Sequence, residues 1–350
     1  MRIAQIAPLY ESVPPRLYGG TERVVAALCD ALVDLGHDVT LFASAESRTR
    51  ARLIPGRSQA IRLDEALLKS DLAAHLRMLR AVERHAAQFD VLHFHLELIH
   101  LPIFELHCMK SVTTLHGRLD LADLPEAYDC WRGFGLVSIS DQQRGPLPKA
   151  NWLATVPHGL PTHRYRFREH VTGDYLAFVG RASPEKGLES AIRIALRAGM
   201  PLKIAAKVDH ADRIYYSAHV KPLLDHPLIE FIGEVGDDHK SELLGNARAL
   251  LFPIQWPEPF GLVMIEAMAY GTPVIAFRRG AVPEVIDDGI SGFIVESEDE
   301  AVAAISRLQQ LARRAVRATF EARFSAEQMA KAYVAVYASL LQSQRLGLVS

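Results

Sequence analysis

At 350 residues the chain exceeds the usual size of one domain, so two domains is the natural reading. Its hydrophobic fraction of 49% suffices for two buried cores, and a charged fraction of 23% is ordinary for a globular enzyme. The formal net charge of -2 gives no sign of broad electrostatic binding to DNA or RNA and leaves room only for a local basic patch, so no nucleic-acid partner is expected.

The first strand is expected over residues 2–7. The N-terminus from Met1 to Pro8 is too short an apolar run for a signal peptide and has Pro8 in it. A polar, Pro-containing loop leads to Tyr18-Gly19-Gly20-Thr21, where a helix begins with Thr21 as its N-cap. Val24, Val25, Leu28, Leu32 and Leu35 recur at helical spacing, and Gly36 ends the helix. A second strand over 38–43 completes a βαβ opening. Further apolar runs lie at 90–95, 111–115, 136–139 and 152–156. They are continuous rather than alternating, which indicates a parallel sheet buried on both faces.

After Leu160 the chain turns polar and irregular to about Asp174, and the boundary is placed there. The pattern then restarts with a strand at 175–179 and a helix at 188–196. Strands at 202–208, 229–235, 249–254 and 273–277 make a second doubly wound α/β unit. The last segment, 325–341, is helical, with Met329, Tyr333, Val336, Tyr337 and Leu340 as its apolar stripe. The expected domains are therefore 1–165 and 172–324, followed by a C-terminal helix over 325–345. Ligands in such sheets bind beyond the carboxyl ends of strands, and with two such domains the cleft between them is the default site.

Cys29, Cys108 and Cys130 are scattered and lack metal-ligand spacing, so reduced thiols in a cytoplasmic protein are expected. No apolar run approaches the roughly 20 residues of a membrane helix. An amphipathic face still leaves room for peripheral membrane contact.

The richest stretch runs from Phe252 to Ala269. A strand enters a Pro-rich turn, and a helix begins near Phe260 or Gly261. A helix start offers free N–H groups and a positive dipole end to an anion. Glu266 lies five residues beyond Gly261, about 7.5 Å along the axis, the span from a diphosphate to its ribose. A carboxylate there accepts hydrogen bonds from vicinal hydroxyls. Glu258 precedes the helix, on the side where a sugar ring would lie. Arg181 and Lys186 follow the 175–180 strand, and two fixed cations there neutralise a leaving diphosphate. Taken singly, each of these is as readily a solvated loop or helix charge. The chain contains no Asp-x-Asp, and a donor site built on Mg²⁺ or Mn²⁺ calls for such ligands. No metal and no cofactor are expected.

These motifs resemble the family-4 glycosyltransferases of the GT-B fold. The Glu-x7-Glu signature stands as Glu258 and Glu266, within Pro257-Glu258-Pro259-Phe260-Gly261. Gly180-Arg181, Glu185-Lys186-Gly187, Gly19-Gly20, Leu115-His116-Gly117, Gly271-Thr272-Pro273-Val274 and Gly280-Ala281-Val282-Pro283-Glu284-Val285 also match. With His93-Phe94-His95 and Val137-Ser138-Ile139-Ser140, the chain is most similar to the subgroup around the avilamycin-type and tetrahydrobiopterin glucosyltransferases.

The resemblance implies two Rossmann-like domains facing a cleft, with the last helix crossing back to the first. It implies transfer of a hexosyl group with retention from a nucleotide sugar, most often UDP-linked, with UDP-glucose the family-weighted choice. The acceptor hydroxyl would attack from the leaving group's face. Carried over by position, Glu266 holds the ribose, Glu258 the hexose, and Arg181 and Lys186 the diphosphate. Phe260, Gly261, Leu262 and Val263 line the donor. His116 faces the transferred sugar, and Gly19 and Gly20 let the first loop approach phosphate or acceptor. The acceptor is a small molecule, a glycan or a lipid-linked group, selected by loops around 11–18 and 119–131.

Two departures stand out. Many relatives have Pro-Asn-Gly where this chain has Pro157-His158-Gly159, and a glycine-rich turn where it has Lys207. His93, His95, Glu97 and His100 invite a metal reading, but no helical His-Glu-x-x-His and no fixed fourth ligand accompany them. His95 is instead expected on the acceptor side. Arg278 and Arg279 read equally as contacts for an anionic acceptor and as a solvated pair. A nicotinamide oxidoreductase would need Gly-x-Gly-x-x-Gly after a first strand, which neither domain has. A non-catalytic GT-B nucleotide-sugar-binding subunit is the other alternative.

Overall fold

The computed structural model describes residues 1–16 and 19–345. The end of the expected 11–18 acceptor loop, Leu17 and Tyr18, lies outside the described residues. The chain forms two compact units, one built from Met1–Pro161 together with the segment from Ala326, the other from Thr162–Ser325.

The first unit contains β1 (Arg2–Ile6), β2 (Asp38–Ser44), β3 (Arg52–Arg57), β4 (Val91–Phe94), β5 (Ser111–Thr114), β6 (Gly135–Ser138) and β7 (Trp152–Thr155). They form a parallel seven-stranded sheet in the order β3-β2-β1-β4-β5-β6-β7. The central strands β4 and β5 are buried along their whole length, as continuous apolar runs require. The sequence pattern overlooks β3. Pro55 and Gly56 interrupt it, and a proline inside a strand is confined to a sheet edge, where β3 lies.

The first helix, Gly20–Asp34, has Gly19 as its N-cap and no side-chain cap. Thr21, expected as the cap, is already inside the helix. The C-terminal helix, Ala326–Arg345, packs along this first helix. Tyr333 and Tyr337 enter the core of the first unit and are almost wholly buried. Ala326 N–H donates to Leu160 O at 2.9 Å, so the returning chain is stitched to the point of departure.

The second unit contains β8 (Leu176–Arg181), β9 (Leu202–Lys207), β10 (Ile229–Phe231), β11 (Ala249–Phe252), β12 (Val274–Phe277) and β13 (Gly292–Val295). Its parallel six-stranded sheet runs β10-β9-β8-β11-β12-β13. Each sheet thus reverses its winding once, between β1 and β4 and between β8 and β11. These switch points are where an open α/β sheet leaves room for a ligand.

Candidate active site

In the second unit both loops beside the switch point carry the residues singled out by sequence. β8 ends in Arg181, whose guanidinium bonds the Glu185 carboxylate and lies 3.8 Å from Asp209. Arg181 sits in register with Lys207 at the end of β9, and Lys207 Nζ is 2.9 Å from the same Asp209. The departure at Lys207 therefore brings one more cation to this edge.

The β11 loop packs against the β8 loop, with Gln255 N–H donating to Glu185 O at 2.8 Å. Across this seam Lys186 Nζ donates to Glu258 Oε2. Trp256 Nε1 donates to the same oxygen at 3.0 Å, and the Lys186 ammonium stands 5.4 Å from the Trp256 ring centre. Glu258 is buried, and its backbone is pressed on by Gly280. A Cβ at Gly280 would fall 2.3 Å from both Glu258 N and Glu258 O, and Gly280 has a φ of 52°. Only glycine meets both conditions comfortably.

The helix after this turn is Leu262–Ala269, capped by Gly261 with no side-chain hydrogen bond. Leu262 and Val263 at its start are partly exposed, whereas everything from Met264 onward is buried. This leaves a helix N-terminus open at the switch point. Phe260 is buried instead, with its ring edge on Phe324 at 6.0 Å. Glu266 is almost fully buried on an otherwise apolar helix. Its charge is met by Lys240, whose Nζ donates to Glu266 Oε1 at 2.7 Å. Lys240 lies in the helix Asp237–Asn246 and carries no sequence signal that ties it to Glu266. Arg278 and Arg279 reach Glu296, at 2.7 and 3.6 Å, and are exposed.

His116, Gly19 and Gly20 belong to the first unit. Gly19 lies against Pro15 and the buried Glu22, whose carboxyl is raised above its ordinary range mainly by burial. His116 follows β5. Its Nε2 is 2.8 Å from His95 Nδ1, and its ring stacks on His158 at 5.1 Å and 19°. The Pro157-His158 departure thus supplies the ring that supports His116. His95 is buried and held between His116 and Gln5, with Nε2 2.8 Å from Gln5 Oε1. It is a support for His116, not the acceptor-lining residue expected from sequence. His93 and His100 are buried too, bonded to Thr114 and Thr113 at 2.7 and 2.8 Å. Among the described residues no group of His, Cys, Asp and Glu is arranged to hold a metal.

Burial keeps these imidazoles neutral. It brings His116 and His100 down to about 3, and lowers His93, His95 and His158 well below the usual histidine range. Next to them Glu97 has a left-handed backbone, with φ 52°, and its carboxyl is raised by burial.

Both halves of the chain match glycosyltransferase families. A profile described as Glycosyltransferase Family 4 covers residues 18–155, and one described as Glycosyl transferases group 1 covers 162–323. A glycogen synthase of Mycobacterium tuberculosis is 26% identical, over 99% of this chain and 96% of that one. A phosphatidyl-myo-inositol mannosyltransferase of Mycolicibacterium smegmatis is 26% identical, over 93% and 88%. Among solved structures, AviGT4, a glycosyltransferase involved in avilamycin A biosynthesis, superposes with a TM-score of 0.73 at 25% identity, over 97% and 98% of the two chains. Anabaena HepE, solved with UDP and glucose, superposes with a TM-score of 0.73 at 18% identity, over 97% and 100%. Among the described residues no helix is long and apolar enough to cross a membrane.

Proposed function

Because the chain belongs to the family-4 glycosyltransferases of the GT-B fold and is a glycosyltransferase, we propose that it moves a hexosyl group from a UDP-sugar to an acceptor hydroxyl, with retention and without a metal ion. UDP-glucose is the first donor to test. The observation that carries this reading is the grouping at the β8/β11 switch point. Arg181, the Lys186–Glu258 pair and the uncapped start of Leu262–Ala269 occupy one seam between two loops. Fixed cations beside a helix start match what a departing diphosphate needs.

In this reading Arg181, Lys186 and the N–H groups of Leu262 and Val263 hold the diphosphate. Glu266 takes the ribose hydroxyls and Glu258 the hexose hydroxyls. The bond from the anomeric carbon to the phosphate oxygen breaks as the acceptor oxygen bonds to that carbon from the same face. The acceptor proton passes to the leaving phosphate oxygen. Charge on the leaving group is met by side chains, and no divalent ion has a role. The acceptor is a small molecule, a glycan or a lipid-linked hydroxyl.

A thermal-shift panel of UDP-, GDP- and ADP-sugars, with and without divalent ion, tests the donor, because a ligand that binds the native state raises its melting temperature. UDP-sugars should give the largest shift, and turnover of the selected donor should survive EDTA. Proton NMR of the product should show the donor's own anomeric configuration. An inverted product, or activity abolished by EDTA and restored by Mg²⁺, would refute the mechanism.

A further inference from the structure

A continuous hydrogen-bonded chain joins His116 to the C-terminal helix. Its members are buried side chains of the first unit. Thr114 Oγ1 lies 2.8 Å from Tyr333 Oη and 2.7 Å from His93 Nε2. His93 Nδ1 is 2.7 Å from Tyr337 Oη, and Gln5 Nε2 donates to that oxygen at 3.1 Å. Gln5 Oε1 meets His95 Nε2 at 2.8 Å, and His95 Nδ1 meets His116 Nε2 at 2.8 Å. At the far end, His116 Nδ1 is buried and has no hydrogen-bond partner among the described residues.

The positions of the protons follow link by link. An amide oxygen only accepts, so His95 Nε2 must carry its proton toward Gln5. A neutral imidazole has one N–H, which leaves His95 Nδ1 an acceptor, and His116 Nε2 must then donate to it. His116 Nδ1 is left bare. The same logic runs the other way from Gln5. Its Nε2 donates to Tyr337, the Tyr337 hydroxyl donates to His93 Nδ1, and His93 Nε2–H donates to Thr114. Turning the Gln5 amide over would reverse each link and place an N–H on His116 Nδ1. A buried N–H without an acceptor is costlier than a bare nitrogen, so the direction found is the favoured one.

We propose that Gln5 and Tyr337 are positioning residues that lock His116 as its Nε2–H tautomer, so that Nδ1 is presented as a hydrogen-bond acceptor for a ligand hydroxyl. The hydroxyl as ligand class rests on the glycosyltransfer reading above. The tautomer assignment rests on the geometry alone. His116 then acts as an acceptor toward substrate, and never as a proton donor through Nδ1. The titratable groups packed around it are His95, His158 and, across Gly117, the Glu97 carboxylate. None of these is a cation that would disturb the neutral ring, since burial keeps both histidines uncharged.

The test is nitrogen NMR of the full chain labelled with ¹⁵N-histidine, with the His116 ring signals assigned by their loss in His116→Gln. The expected result is one neutral Nε2–H tautomer from about pH 5 to about pH 8. Tyr337→Phe removes the hydroxyl that orients Gln5, and Gln5→Leu removes the acceptor for His95. Each should turn the single tautomer into a mixture and lower kcat about tenfold, the scale of one lost hydrogen bond. Gln5→Glu keeps an acceptor toward His95 and should restore the single tautomer. An Nδ1–H tautomer in the unmodified chain overturns the proposal, as does an unchanged tautomer in folded Tyr337→Phe and Gln5→Leu. If either variant fails to fold, the unmodified chain and the other variant still decide. A correct tautomer in a chain that turns over no nucleotide sugar would refute the proposed function and leave this assignment standing.

Discussion

Lys186 and Glu258 bond to each other across 72 residues of sequence, so the cation expected to grip the diphosphate is neutralised by the carboxylate expected to grip the sugar. Their side chains are only 18% and 11% exposed. The pair is therefore drier than a surface salt bridge, and each partner holds the other in place. Under the proposed donor site, a diphosphate would compete with Glu258 for the Lys186 ammonium.

That competition separates binding from transfer. Glu258→Gln keeps an oxygen for Trp256 Nε1 but releases Lys186 from its counter-charge. Calorimetry should show UDP binding up to about tenfold tighter than in the unmodified chain, while transfer falls by about a hundredfold. Lys186→Ala should weaken UDP binding and transfer together. Equal loss of UDP affinity in both variants would sink the competition.

Gly280→Ala tests how tightly the Glu258 backbone is set. The new Cβ would meet Glu258 N and O at 2.3 Å and strain a backbone at φ 52°. The expected cost is about 1–3 kcal/mol of stability with a marked loss of transfer. Gly289→Ala is the control. Its φ is 75°, but a Cβ there meets nothing within 4 Å. It should cost about 1 kcal/mol and leave turnover intact. Equal turnover in the two variants would show that Glu258 is not held by this contact.

Lys240→Met leaves the Glu266 carboxylate buried without its cation. Removing one partner of a buried pair costs about 3 kcal/mol, measurable as a lower urea midpoint with unchanged slope. The double variant Lys240→Met, Glu266→Gln should recover most of that stability but not the nucleotide affinity. Additive losses in the double variant would mean the two residues are uncoupled.

Acid should loosen the first unit through its buried histidines. His93, His95, His100, His116 and His158 all have folded-state values lowered from 6.5, because burial disfavours the charged ring. The unfolded chain therefore binds more protons below about pH 6.5, and stability falls as pH falls. It is fully present above that value. Each ring contributes up to about 1.4 kcal/mol per pH unit in the window from about 6.5 down to 5. The melting temperature should drop steeply across that window, and His100→Asn should flatten the drop. A melting temperature indifferent to pH there would contradict the neutral, buried state.

The α/β repeat was legible because buried parallel strands announce themselves as continuous apolar runs. β3 was not, since Pro55 and Gly56 break its pattern at the sheet edge. β13 was overlooked as well. Glu258 and Glu266 were found because turn, glycine and helix start frame them in one stretch, and Arg181 and Lys186 because they follow the end of a strand. Lys240, Trp256 and His158 were missed as partners because each acts across the fold from an ordinary-looking context. Gln5 did leave a trace: a polar residue within an apolar strand run needs a partner, and its partners lie at residues 95 and 337.

The second unit is an insertion between Pro161 and Ala326 of the first, and this sets an order for synthesis. A ribosome delivers the whole of the second unit as one contiguous stretch, ready to fold on release. The first unit waits. Gln5, His93 and Thr114 are made early, yet the tyrosines that complete their hydrogen bonds arrive only at residues 333 and 337. Until then those side chains lack the partners that the finished fold gives them. A message truncated just before the last helix would yield a folded second unit tethered to a first one that cannot close.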